Sequence, residues 1–345
     1  MRQWLTQLWY RKSAAAWLLA PLSWLYAAVI AVRTRAYARG WLASERAGKP
    51  VIVVGNLTVG GTGKTPLVLW LARRLTELGF AVGIVSRGYG ASGGAGPRFV
   101  EVTDSWQSVG DEPLLLKRRT GCLTVVSPDR VAGARALAAR GVDVIICDDG
   151  LQHLHLARDC EIVVIDAARG FGNGWLLPAG PLREPAGRIR RADLIVLTTA
   201  GAAAGPAAFS PADLPAFAMS FAALDAQRLD GLEPPRPLER FAGERVHAVA
   251  GIGHPERFFE DLRARGLDVV PHAFADHHAF EPAELDFPDG APIIMTEKDA
   301  MRCQGFATAR MWYLPVKARF VERDSHALLD RVCRSIALPS PGATR

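Results

Sequence analysis

Cysteine is scarce in this chain, five in 345 residues. The five (Cys122, Cys147, Cys160, Cys303, Cys333) are odd in number, scattered, and never in Cys-x-x-Cys spacing. That argues against a disulfide frame and against a zinc site, and fits a reducing compartment. Also missing are a basic stripe interleaved with aromatics, a finger pattern and a helix-turn-helix pattern. Nucleic acid is therefore not an expected partner, although a net charge of +6 and a pI near 9.3 call for something anionic, such as phosphate ligands or anionic lipid. Charge itself is thin, 22% of residues against 49% hydrophobic. No internal repeat is visible.

Charge is absent altogether from Ala14 to Val32, a run of about nineteen residues, near the length that crosses a bilayer core. Trp4, Trp9, Tyr10, Trp17, Trp24 and Tyr26 give it an aromatic bias of the interfacial kind. Arg2, Arg11 and Lys12 precede the run and Arg33, Arg35 and Arg39 follow it, so the positive-inside rule sets no orientation. No small-x-small cleavage site precedes the basic cluster, which disfavours a cleaved signal peptide. Pro21 interrupts the run, so a kinked helix lying in the interface competes with a spanning one. An ordinary buried helix is the third reading.

What is present begins at Val51. Val51-Ile52-Val53-Val54 reads as a strand buried on both faces, and Gly55-Asn56-Leu57-Thr58-Val59-Gly60-Gly61-Thr62-Gly63-Lys64-Thr65-Pro66 follows. Leu67 to Leu78 then runs with helical spacing. Strand, glycine turn, Gly-Lys-Thr and helix is the layout of a phosphate-binding loop. Glycines let backbone N–H groups close around a polyphosphate, and the helix N-terminus adds a favourable dipole. Lys64 is expected at the β/γ-phosphates and Thr65 at Mg²⁺; Thr58, Gly60, Gly61, Thr62 and Gly63 complete the expected nucleotide contacts. Thr58 stands where the usual loop has its first glycine. The double glycine approaches the deviant loop of partitioning and metallochaperone ATPases, but Val59 replaces their signature lysine.

Further strands are expected at 80–85, 99–102, 123–126, 142–147, 161–166 and 193–198, alternating with helical stretches. That alternation predicts an α/β fold with a parallel sheet and helices on both faces. The expected division is an N-terminal helix at 1–40, a nucleotide-binding domain at 41–205, an Ala/Pro/Gly linker at 206–240 with strand character from 216 to 229, and a smaller α/β domain at 241–338. Residues 91–98 and the tail after Leu338 read as unstructured.

Asp148 closes an apolar strand downstream of the loop, where a Walker-B acid holds Mg²⁺. Asp149 is read as its orienting neighbour. Asp111 lies at a strand-to-helix turn on the ligand side of such sheets, and serves equally well as a helix cap. Arg87 and Arg183 sit in glycine- and proline-flanked turns and have the fork to grip phosphate. In Asp276-His277-His278, extended neighbours point to opposite sides, so one metal would not take both histidines. A carboxylate-polarised histidine is the better chemical reading.

These pieces, in order, resemble the tetraacyldisaccharide 4'-kinase family of lipid A biosynthesis. The matching residues are the loop from Gly55 to Pro66, Ser86-Arg87-Gly88-Tyr89-Gly90, Gly110-Asp111-Glu112-Pro113 and Asp148-Asp149-Gly150-Leu151-Gln152-His153. They continue with Leu177 to Pro185, Asp276-His277 and Thr296-Glu297-Lys298-Asp299. The resemblance spans nearly the whole chain. It implies transfer of the ATP γ-phosphoryl group, with Mg²⁺, to the 4'-hydroxyl of an acylated glucosamine disaccharide 1-phosphate. It further implies Asp111 as catalytic acid/base assisted by His277, Glu112 and Asp148 supporting the metal, and Arg183, with Arg87 and Asn56, on the phosphate and substrate side. The acceptor is a bilayer lipid, so the inner membrane's cytoplasmic face is the expected location, with no protein partner implied. A partitioning-type ATPase and a non-catalytic membrane scaffold are the rival readings.

Overall fold

The computed structural model describes residues 8–10, 15–88, 96–199 and 214–337. Expectations on residues 1–7, 11–14, 89–95, 200–213 and 338–345, including Tyr89-Gly90 of one motif and the tail, lie outside the described residues. The strands are β1 (Val51–Gly55), β2 (Val82–Ser86), β3 (Arg98–Phe99), β4 (Leu123–Val126), β5 (Val144–Asp148), β6 (Cys160–Asp166) and β7 (Leu194–Thr198). They continue as β8 (Ala216–Ala223), β9 (Gln227–Arg228), β10 (Arg245–Ala250), β11 (Asp268–Ala273), β12 (Ile293–Thr296), β13 (Met311–Leu314) and β14 (Val316–Arg319). The main helices are α1 (Ala20–Ala38), α2 (Lys64–Glu77), α3 (Asp111–Thr120), α4 (Arg130–Ala139), α5 (Pro255–Ala264), α6 (Glu297–Cys303) and α7 (Glu322–Ser335).

Among the described residues these strands form two sheets. The nine-stranded sheet has the order β14-β8-β7-β6-β1-β5-β2-β4-β3 and is parallel except at its two edges. β1 lies between β5 and β6, pairing Val54 with Asp148 and Gly55 with Val163. All five of its residues are buried, which explains a continuous rather than alternating apolar run. Ile52 and Val54 face a core with Leu67, Leu71 and Leu75 of α2, while Val51 and Val53 face a second core with Leu137 of α4. Helices therefore cover both faces.

The expected boundaries shift. β8, inside the expected linker, joins the first sheet, because Phe217 and Met219 complete its core. The end of the chain returns as well: β14 pairs with β8, and α7 buries Leu328, Leu329 and Val332 against α2's core. What remains from the second half is a five-stranded sheet, β11-β10-β12-β13-β9, parallel except for the β13–β9 pair. Leu114 and Leu115 of α3 share a buried cluster with Met295, Met301 and Phe280, so the two sheets meet across packed side chains.

Pro21 falls in the first turn of α1, where its missing N–H is no loss; a four-residue helix, Ala15–Leu18, stands before it. Among the described residues no helix is long and apolar enough to cross a membrane. The uncharged part of α1 ends at Val32, and thirteen residues at 1.5 Å reach only about 20 Å. One face of α1 is outward and apolar, with Leu25, Val29 and Val32 at 64%, 57% and 64% exposure.

Candidate active site

The carboxyl ends of β1 and β5 and the turns after β10 and β11 open on one cleft of about 2570 Å³. The loop after β1 brings Gly60, Gly61, Thr62, Gly63, Lys64 and Thr65 to its wall. Two of these glycines are obligatory: Gly60 and Gly63 have φ of +110° and +88°, where a Cβ is strained. At Gly63 an added Cβ would also lie 2.6 Å from Phe221 Cζ and 2.9 Å from Thr198 Cγ2. Asn56 and Thr58 sit behind the loop. Asn56 is fully buried; its amide donates to Gly60 O at 3.2 Å and its Oδ1 accepts from Lys64 Nζ at 3.2 Å. Thr58 bridges Leu182.

Cations converge on Asp149. Lys64 Nζ lies 3.5 Å from its Oδ1, and Arg183 Nη1 donates to both oxygens at 3.1 Å. Burial opposes ionisation here, but Lys64 and Arg183 outweigh it and hold the carboxyl down at about 2. Its φ of +49° is left-handed, a strain that the surrounding charge pairs sustain. Gln152 Nε2 donates to Asn56 O at 3.1 Å and to Glu184 Oε1 at 3.0 Å. Asp149 does more than orient its neighbour: it gathers the two cations.

Asp148 is the opposite case. It ends β5 at 1% exposure, and neither carboxylate oxygen has a hydrogen-bond partner. Burial first, then Glu112 and Asp149, push it well above the ordinary carboxylate range. A buried carboxylate without donors is costly, and a divalent cation beside it relieves that cost. Thr65 is buried nearby in the loop and Thr62 Oγ1 also lacks a partner. Among the described residues no group of three or more His, Cys, Asp or Glu side chains forms a metal cage. Mg²⁺ needs none, since it takes one or two carboxylates with waters and phosphate oxygens. The donor set fits that ion.

The third cluster joins the sheets. Asp111 is the first residue of α3, 4% exposed, and its Oδ1 accepts from the Glu112 N–H at 2.8 Å. Its Oδ2 is 3.0 Å from His277 Nδ1 and accepts from Arg302 Nη2 and Nε at 2.6 and 2.9 Å. Burial pushes Asp111 up, but the His277 hydrogen bond with the Lys298 and Arg302 charges holds it far below its usual range. The same bond to Asp111 raises His277. His277 lines the cleft and Asp111 stands behind it. His278 turns the other way, to Glu284 at 2.9 Å, but the segment is a turn with His277 at φ +61° and not the extended stretch expected.

Sequence reading missed Arg302 and assigned no part to Lys298. Lys298 pairs with Glu112 and Arg302, with no exposed side-chain surface, bridges Asp111 and Asp299. Four residues apart, they share one face of α6. The available signal was two cations at helical spacing directly after an apolar strand. Arg87 directly follows β2, is exposed, and lines the cleft. Burial, then Arg130, Arg87 and Arg33, push His153 down to about 4.

Known proteins bear on this geometry. The tetraacyldisaccharide-1-P 4'-kinase family model matches residues 15–334. A tetraacyldisaccharide 4'-kinase from Xanthomonas euvesicatoria is 49% identical over 317 residues, 91% of each chain. One from Aromatoleum aromaticum is 50% identical over 327 residues, covering 94% of this chain and 96% of its own. A crystal structure of LpxK from Aquifex aeolicus in complex with ATP superposes with a TM-score of 0.78 at 32% identity, covering 93% of this chain and 99% of that one. With a glycine loop and His277 on one cleft, an unpaired buried acid at the end of β5 and Asp111 behind His277, and with relatives of this closeness along nearly its full length, the chain belongs to the tetraacyldisaccharide-1-P 4'-kinase family.

Proposed function

We propose that this chain transfers the γ-phosphoryl group of ATP to the 4'-hydroxyl of a tetraacylated glucosamine disaccharide 1-phosphate, a step of lipid A biosynthesis. The observation that carries it is the meeting of Lys64, Glu112 and His277 on a single cleft. Family membership and the ATP complex of the Aquifex relative support the nucleotide. Phosphoryl transfer needs positioning and charge neutralisation more than covalent chemistry. Lys64 and Arg183, now on Asp149, are the cations for the phosphates, with Arg87 at the acceptor side. Asn56 and Thr58 hold the loop's shape. Bound Mg²⁺, held by Asp148, Thr65 and Glu112, would supply further neutralisation of phosphate charge.

The acceptor hydroxyl loses its proton as the new P–O bond forms and ADP leaves. His277 faces the cleft, and Asp111 has Oδ2 committed to His277 and Arg302. The pair acts together: His277 takes the proton, and Asp111 fixes the ring and stabilises its charged form. We assign the two sheets to two lobes, a nucleotide lobe and a smaller acceptor lobe. The exposed apolar face of α1 and the basic balance support docking at the cytoplasmic face of the inner membrane, in the interface. A partitioning-type ATPase is disfavoured by Val59. The test is radiolabel transfer from γ-labelled ATP to lipid extracts, with the product identified by mass. ATP turnover indifferent to added acceptor would defeat the kinase reading.

A further inference from the structure

The inward stripe of α1 carries three hydrogen-bond donors. Ser23 Oγ donates to Leu176 O at 2.8 Å, the Tyr26 hydroxyl to Arg183 O at 2.9 Å, and Arg33 Nη2 to Gln152 O at 2.9 Å. Spacings of three and seven put them on one helix face, away from exposed Leu25 and Val32. Every acceptor is a backbone carbonyl in a loop, and two of those loops present side chains to the phosphate loop. Arg183 grips Asp149, which meets Lys64. Gln152 grips Asn56 O, and the Asn56 side chain meets Lys64 Nζ. Two hydrogen-bonded routes therefore run from α1 to Lys64. An anchor needs only apolar surface; burying these donors against named carbonyls serves something else.

Resting on the kinase reading above, we propose that α1 is a wall of the active site as well as a docking surface, with Tyr26 and Arg33 as positioning residues. They fix the backbone at Arg183 and Gln152, and through it the charges that neutralise the phosphates. The segment from Leu176 to Leu182 closes on itself through Leu177 N to Leu182 O at 2.9 Å and Gly180 N to Leu176 O at 3.0 Å. It meets the phosphate loop where Val59 N donates to Pro181 O at 2.8 Å and Arg183 N to Leu57 O at 2.7 Å, so α1 leans on a segment that is itself bonded to that loop. Trp17 and Trp24 close on Trp175 at ring distances of 5.1 and 6.4 Å and hold the helix there.

The test uses the full chain with detergent-dispersed acceptor, so that membrane affinity does not limit the rate. Tyr26→Phe and Arg33→Met each lower kcat about fivefold, the size expected for one lost hydrogen bond felt in the transition state. Arg33→Lys recovers most of the loss. KM for acceptor, melting temperature and pelleting with anionic vesicles stay at the parent values. An unchanged kcat in both variants overturns the proposal, as does a loss that appears only alongside lost pelleting or a lowered melting temperature. The parent chain runs in parallel: if it moves no label from γ-labelled ATP to the acceptor, the kinase reading fails, and not the placement of α1.

Discussion

Replacing Asp111 by Asn keeps the shape of the interlobe cluster and deletes its central charge. Arg302 would lose the partner it holds at 2.6 and 2.9 Å, yet keep Asp299 at 3.1 Å. Breaking a buried ion pair costs about 3–5 kcal/mol, and the retained Asp299 places this case near the lower end, about 3 kcal/mol. The catalytic effect is larger in rate: without Asp111 to fix the ring and stabilise its charged form, the contribution of His277 as base, about 10²–10⁴-fold, is forfeited. ATP affinity should stay close to the parent value, because Lys64 and Gly60 to Thr65 do not touch Asp111. The pH profile carries the sharper signature. His277 is raised above its ordinary value by Asp111, so its proton stabilises the fold at low pH, a contribution lost as pH climbs through the raised value. Transfer needs the neutral ring and runs the other way, increasing with pH through that same value. In Asp111→Asn the acid limb should move to lower pH, because the carboxylate that raises His277 is gone. The assay is γ-label transfer from pH 5 to 9 with a thermal melt at each pH. A rate loss under tenfold, or an acid limb that does not move, refutes the pairing.

Other perturbations are equally specific. Lys64→Ala should lower kcat by about 10²–10³-fold, as removal of a preorganised charge contact does, measured at saturating ATP. Asp148→Asn should act in opposite directions: its folded pKa is raised, so the charge destabilises the Mg²⁺-free protein increasingly as pH rises, and the amide should add on the order of 2 kcal/mol at pH 8. The same variant should lose the melting-temperature increase that Mg²⁺ with ATP gives the parent. Gly63→Ala should abolish nucleotide binding by titration calorimetry, because a Cβ at φ +88° also meets Phe221. Deleting residues 1–36 should release the protein from vesicles; continued pelleting would reveal a second docking surface.

Wherever chemistry depends on neighbours in the chain, the residues themselves were enough. Val51 to Thr65 predicted strand, loop and helix because four β-branched residues, then glycines, then an amphipathic run leave the backbone few alternatives. Asp148 at a strand end was legible for the same local reason, whereas His277 and His278 part through a left-handed turn at His277 that the extended reading did not foresee. Strand character from 216 was legible, but its partner was not: Ala216–Ala223 joins the first sheet because Phe217 and Met219 find that sheet's core. The C-terminal return of β14 and α7 was invisible too. Hydrophobic pattern says that a face is buried and is silent about against what.

Local sequence thus determined the glycine loop, the strand–helix alternation and the kind of side chain brought to the cleft. Only the tertiary structure decided which charges meet. Asp111 lies 166 positions from His277 and 191 from Arg302, and no periodicity spans such a separation. Their pairing exists because two sheets pack across α3 and α6, and with water removed between them each buried charge must find the other.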